Sequence, residues 1–348
     1  MFRKASCSGV CWGVRLLPDA GGMPDRGGAG RPVDDLIQPF RLESGKDGEA
    51  KLSGRLARLG EAVDDVLRRH DYPELVAQLL GEALALSATL AGALKFDGIF
   101  TLQLQGDGPV SLLLADVQTV DSAERYLVRG YAKYDDDALA AHDPTGSLLG
   151  SGYFALTVDQ GPHTDRYQGM VEITGTTLAE CAQHYFRQSQ QMDAAISLSA
   201  GRSGPNGVWR AGGIMVQRIA DDPNIQIQSD DGDDTWRRVM MLMATGTEAE
   251  LRDPDLSAER YLFRLFHEEG VRVTDPRPVA RGCRCSSRRV FNVLVQLPRE
   301  DLHDLAVDGS LEVTCEFCAE TYRFTPEAVE ARAVGGYPVI NSPESPDR

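Results

Sequence analysis

Apolar residues recur along this chain with two different periods, and the switching between them lays out an order of elements. In GRLARLGEAVDDVLRRHDYP, residues 54–73, Leu56, Leu59, Val63, Val66 and Leu67 fall on one face at helical spacing and Pro73 closes the run, so a helix is predicted. A second helix is predicted from about Glu74 to Leu94. Its Ala and Leu residues surround it on most sides, which marks a helix buried in the main core. The period then drops to two: Phe100, Leu102 and Leu104 alternate with Thr101, Gln103 and Gln105, and Gly106-Asp107-Gly108-Pro109 supplies a turn into a second strand. Further strands are predicted in RYLVRGYAKY (125–134), GYFALTVDQ (152–160) and YQGMVEITG (167–175), a helix in TTLAECAQHYFRQSQQM (176–192), and closing strands in AISLSAG and AGGIMVQRI. The fold class that follows is α+β, with an N-terminal domain of mostly antiparallel sheets packed with helices over residues 33–219.

Both flanks of that domain differ from it. Residues 1–32 are broken by Gly and Ser and lack the apolar centre of a signal sequence, so they read as a disordered leader; Met23 is as plausible a start as Met1. Residues 219–260 carry eleven Asp or Glu against four Arg, interleaved with short apolar clusters such as WRRVMMLMA. A segment with so little apolar surface is ordered only by docking, and residues 220–278 are assigned as a helical linker. A small module at 279–334 and a disordered tail at 335–348 complete the expected division.

Charge narrows the function. The chain carries 52 Asp and Glu against 36 Lys and Arg, a net charge of −16, which argues against a nucleic-acid partner. No run approaches the eighteen or so consecutive apolar residues of a membrane span, so no membrane partner is expected. Of seven cysteines, Cys7 and Cys11 lie in the leader, Cys181 lies on the apolar face of a predicted helix as a buried structural residue, and four lie close together near the C-terminus. Clustering of that kind in a long, cysteine-poor chain points to metal or redox chemistry in a reducing compartment, with the cytoplasm as the expected location.

The four are Cys283 and Cys285 in ARGCRCSSRR, and Cys315 and Cys318 in TCEFCAETYRF. Two close pairs of thiolates suit a tetrahedral Zn²⁺ with ligands at about 2.3 Å. Between them SSRRVFNVLVQLPREDLHDL predicts a helix capped near Ser286 or Ser287 and a second after Pro298, and DGSLEVTCEFCAETYRF predicts a hairpin whose turn holds the second pair. A plain zinc staple accounts for this spacing. So does an oxidant-sensitive site: two sulfurs one residue apart can meet as a disulfide, and Arg281, Arg284, Arg288 and Arg289 place positive charge beside thiolates.

The sequence also resembles a known family. HDYP (70–73), LKFDG (94–98), LQLQGDGP (102–109), RYQGMVEI (166–173), YFRQSQQ (185–191), AGGIMVQ (211–217), LFHEEGVRVTDP (265–276) and the two cysteine pairs, in this order, resemble the bacterial thirty-three-kilodalton heat-shock proteins, redox-regulated holdase chaperones. The resemblance covers roughly residues 50–330. It implies a chaperone that hydrolyses no ATP and is not an enzyme. In the reduced, inactive state Cys283, Cys285, Cys315 and Cys318 would hold one Zn²⁺ per chain. Oxidation would join Cys283 to Cys285 and Cys315 to Cys318, release the ion and unfold module and linker. The oxidised protein would be a homodimer that binds unfolding client proteins.

Other patterns carry less. HEEG at 267–270 lacks the second His of a metalloprotease motif, since Val271 stands there, and reads as a charge cluster at a helix end. GDG at 106–108 lacks the Lys and Ser/Thr of a phosphate loop and reads as a turn. His70, His184 and His303 read as surface or capping residues. Met240, Met241 and Met243 read either as the core side of a linker helix or as an adaptable client-binding surface. Two other functions fit a four-cysteine chain, a thiol-disulfide oxidoreductase and a zinc-ribbon nucleic-acid binder. The first needs its C-x-x-C at the start of a helix rather than in a hairpin, and the second runs against the acidic charge.

Overall fold

The structure, a computed structural model, describes residues 15–16, 34–43, 52–120, 124–143, 146–161, 164–204, 207–218 and 230–331. The chain divides into two compact units, residues 1–281 and 282–348. The first contains, in order, β1 (Arg15–Leu16), β2 (Leu36–Leu42), β3 (Leu52–Leu59), α1 (Glu61–Leu67), α2 (Glu74–Ala93), β4 (Ile99–Gly106), β5 (Val110–Val120), β6 (Arg125–Tyr134), α3 (Asp136–Ala140), β7 (Gly152–Asp159), β8 (Tyr167–Glu172), α4 (Leu178–Ser189), β9 (Ala194–Ser203), β10 (Val208–Arg218), α5 (Asp230–Thr245), α6 (Glu248–Arg252), α7 (Ala258–Phe266), β11 (Val271–Val273) and β12 (Arg277–Arg281). The second contains α8 (Ser287–Leu294), α9 (Arg299–Asp304), β13 (Leu311–Thr314), β14 (Thr321–Phe324) and α10 (Pro326–Glu330).

Strand order in the first unit is β8-β7-β4-β5-β6-β12-β2-β3-β10-β9, with β11 pairing β2 and β1. Every neighbour is antiparallel except β12, which runs parallel to β6 through Val279–Arg281 and antiparallel to β2 through Arg277 and Pro278. This strand therefore joins two antiparallel sheets into one.

The chemistry of β2, β3 and β10 explains the rest of the unit. On one face Ile37, Ala57, Leu59, Ala211 and Met215 share a core with α2. On the other, Leu36, Phe40, Leu56, Ile214 and Val216 share a second core with Val239, Met243, Leu251, Leu262 and Phe266. The segment expected to dock as a linker thus fills the second face of the sheet. Space for it is made by absent side chains: a Cβ at Gly212 would lie 2.6 Å from Leu251 Cγ. Polar ties accompany the packing. Arg58, 1% exposed, donates to the carbonyl of Asp253, and the half-buried Arg210 donates to that of Arg252 at 3.0 Å, so two guanidinium groups meet the C-terminal end of α6. Asp34 pairs with both.

The second predicted helix, the hairpin and the later strands are present where the period placed them. Residues 54–59, predicted as helix, form strand β3 instead. A strand covered on both faces shows no alternation, and Leu56 with Leu59 mimics a helical interval. Only Glu61–Leu67 of that run is helical. The boundary drawn before residue 279 moves to Gly282, because Val279 is buried in the first core as part of β12. Arg15–Leu16, within the expected leader, pair with Val273 and Arg272. Cys7, Cys11, Met23 and the expected tail at 335–348 lie outside the described residues. By length and composition α2 is apolar enough to cross a membrane, but 72% of that stretch is buried inside the unit, as a core helix is.

Candidate metal centre

The two cysteine pairs are presented by two kinds of turn. Cys283 and Cys285 sit in an irregular segment that ends at α8, where the Ser286 hydroxyl accepts from the backbone N–H of Arg289 and caps the helix as the sequence predicts. Cys315 and Cys318 occupy the connection between β13 and β14. The N–H of Cys315 donates to the carbonyl of Glu320 at 2.8 Å, and the N–H of Ala319 to that of Cys315 at 2.8 Å. Ala319 takes a left-handed φ of 56°, which folds the connection tightly enough to present both sulfurs on one side.

The four sulfurs converge, all within 4.8 Å of one another. Between the pairs, Cys285 Sγ lies 3.3 Å from Cys318 Sγ and Cys283 Sγ 3.8 Å from Cys315 Sγ. Four ligands held 2.3 Å from a shared centre at tetrahedral angles would stand about 3.8 Å apart, so the arrangement has the size of a tetrahedral thiolate site. Cys318 is buried and the other three are half-buried, which leaves a path for an ion and for a small oxidant.

Ionisation is shared unevenly. A hydrogen bond from Cys318, working against burial, pulls Cys283 down to about 4. The same bond, then burial, pushes Cys318 far above the thiol range, and burial raises Cys285. Four thiolates this close repel one another, and a divalent cation is what lets all of them ionise together. These shifts originate in the sulfurs' own hydrogen bonds and burial. Of the neighbouring arginines, Arg289 donates to the carbonyl of Arg284, and Arg281 belongs to the first unit, 3.8 Å from Asp65.

One group at the site has no counterpart in the sequence reading. Tyr322 on β14, 8% exposed, donates its hydroxyl to Cys285 Sγ at 3.2 Å. Burial first, and then the sulfur it faces, hold that phenol above its ordinary range, so it stays a donor. The available signal was alternation: Tyr322 and Phe324 point inward on either side of the exposed Arg323.

The remaining sequence features fall into structural roles. Glu269 of HEEG is 3% exposed and takes both donors of Arg238 on α5, at 3.0 Å for the longer bond. Gly106–Pro109 is a turn, with Asp107 accepting from Ser151 N–H at 2.6 Å. Cys181, 2% exposed, lies 3.3 Å from the carbonyl of Thr174, and burial pushes its thiol up. His70 stacks on Tyr72, His184 is half-buried and His303 meets Glu330 at 2.9 Å. The methionines divide: Met243 is in the second core, Met240 packs at its edge, and Met241 is 69% exposed.

Comparison with known proteins adds to this geometry. The model of the family described as Hsp33 protein matches residues 43–325. The 33 kDa chaperonin of Caulobacter vibrioides is 41% identical over 303 residues, covering 84% of this chain and 96% of its own. That of Pseudomonas fluorescens is 41% identical over 296 residues, covering 84% and 91%. Among solved structures, the 33 kDa chaperonin of Thermotoga maritima has the same fold, with a TM-score of 0.67 at 23% identity over 84% of this chain and 97% of its own. With the family matched across both the sheet unit and the cysteine module, this chain belongs to the Hsp33 family.

Proposed function

We propose that this protein is a redox-regulated holdase chaperone of the cytoplasm whose resting state is closed by one Zn²⁺ held on Cys283, Cys285, Cys315 and Cys318. The observation that carries the reading is the convergence of four sulfurs within 4.8 Å in a module whose apolar core, among the described residues, has six buried side chains. A soft dication on four thiolates supplies such a module with about 10–16 kcal/mol at neutral pH, far more than its core can. The thiolates hold the ion while reduced. Each pair of thiolates oxidised by one peroxide loses two electrons and becomes a disulfide, while the peroxide takes up those electrons with two protons from solvent and leaves as two waters, and a disulfide is no longer a thiolate ligand.

The pairs are Cys283–Cys285 and Cys315–Cys318, each closing a short loop that can form after the module has opened. With the module unfolded, the segment 220–278 loosens in turn. The apolar surface of that segment, Met241 and Met243 included, then binds unfolding proteins, and the oxidised chains associate as a homodimer. Two rivals are weaker. A thiol-disulfide oxidoreductase presents its pair at a helix start, whereas Cys315 and Cys318 lie between two strands. Nucleic-acid binding is opposed by a net charge of −16.

The test follows zinc content, disulfide-linked peptides and light scattering of a denaturing client, before and after peroxide or hypochlorite. One zinc and no protection in the reduced protein, then zinc loss, the two local disulfides and protection, is the expected result. Zinc retained on oxidation, or equal protection in both states, ends the proposal.

A further inference from the structure

Tyr322 and Phe324 stand two residues apart on the same face of β14, and both rings lie in the small core with Leu294 and Leu311. Packing needs no hydroxyl, as Phe324 demonstrates. A phenol buried at that position must find an acceptor, and the one it finds is Cys285 Sγ, 37 residues away in sequence and 3.2 Å away in space. Groups one step beyond a metal's ligands fix the orientation and the electron density of those ligands. We infer that Tyr322 is a positioning residue that holds the Cys285 sulfur in the ligand set and restrains its reaction with oxidants, so that it sets how readily the switch opens. The inference rests on the redox reading above.

The restraint has a definite chemical form. In the first step the Cys285 thiolate attacks a peroxide oxygen: the S–O bond forms, the O–O bond breaks, and the departing hydroxide takes a proton to become water. Sulfur is oxidised by two electrons and peroxide is reduced. In the second step another cysteine thiolate attacks the sulfenic sulfur, the S–S bond forms, the S–O bond breaks and a second water leaves. The electron pair used in the first step belongs to the sulfur that accepts the Tyr322 proton. A hydrogen bond into a thiolate lowers its nucleophilicity, and the bond must lengthen as the S–O bond forms.

The test uses the full chain and Tyr322→Phe, which keeps the ring. With Co²⁺ replacing zinc under reducing conditions, the thiolate-to-cobalt charge-transfer band should move to longer wavelength in Y322F, because the sulfur lone pair rises in energy. Peroxide-triggered zinc release, followed with a chromogenic chelator, should be about three- to tenfold faster, because in the natural chain the bond is lengthened rather than wholly lost as the S–O bond forms, so that only part of its strength restrains the rate. Phe324→Leu, which loosens the same core and spares the hydroxyl, should leave the cobalt band in place. If Y322F does not fold, 3-fluorotyrosine placed at 322, a stronger donor of nearly the same shape, should shift both readouts the opposite way.

An unmoved band in Y322F overturns the inference, whether release is unchanged or merely faster through loosened packing. So does F324L reproducing both effects. If the unaltered protein binds no cobalt, or keeps its metal through oxidation, the redox reading falls and this inference falls with it. If the unaltered protein switches and Y322F matches it, only the role of Tyr322 is lost.

Discussion

The two units of this chain are stabilised by different means. In the first, β2, β3 and β10 bury side chains on both faces, against α2 on one side and α5–α7 on the other. In the second, Leu294, Leu302, Leu311, Tyr322, Phe324 and Val329 make up the buried core, and four sulfurs gather beside it. Apolar burial at about 25 cal/mol per Å² accumulates with the number of covered faces, so the sheet unit holds by itself. A fifty-residue module with six core side chains does not reach that regime. The contrast teaches where the proposed redox signal would act: upon the region whose fold would depend on metal–thiolate bonds that oxidation breaks.

The sharpest way to break this comparison is to remove the proposed metal without touching the sheet. Chelation under reducing conditions, or Cys318→Ser, should cost the module about 10 kcal/mol and unfold residues 282–331, while strands β3–β10 keep their protection. Amide hydrogen exchange read separately for the two units checks it. A single cooperative loss of both would contradict independent stabilisation.

A smaller effect is expected inside the sheet unit, where the second core separates from the first. Leu251, 3% exposed and seated over Gly212, anchors α6 to β10. Leu251→Ala should cost about 2–5 kcal/mol, the range for emptying a buried leucine site. The loss should appear as faster proteolysis and exchange in residues 230–273, and as partial client protection without oxidant. Uniform destabilisation of the whole unit would show that the linker layer is no separate element.

The same contrast governs what was legible in the sequence. Strand β4 could be read because one face meets the core and the other shows Thr101, Gln103 and Gln105. Strand β3 could not, because both of its faces are covered and alternation disappears. Strands β11 and β12 are three and five residues long, and β12 contains Pro278; such short pieces owe their conformation to the neighbours they pair with. In the module, covalent spacing announced the four cysteines before any fold was known. Tyr322 was hidden because its importance lies in a contact with Cys285, and no local pattern encodes a partner 37 residues distant.

The smallest effect concerns pH at the linker face. Glu82 on α2 lies near Glu248 and Arg252 of α6; burial, then the Glu248 charge, raise its carboxyl from 4.5 to about 7, with Gln78 and Arg252 opposing. A carboxyl whose folded value lies above its unfolded one makes the docked state bind a proton more tightly. Its contribution is therefore complete below about pH 4.5 and is lost as pH rises through about 7. The shift sets a ceiling of about 3 kcal/mol, and the water that reaches this partly covered group leaves about 1–2. Glu82→Gln, neutral at every pH, should raise the urea midpoint for opening of the 230–273 layer at pH 8 and leave it nearly unchanged at pH 5. Equal midpoints for the variant and the natural chain at both pH values would show that α6 docks without regard to this carboxyl, leaving the Leu251 contact and the Arg58 and Arg210 ties to hold the layer.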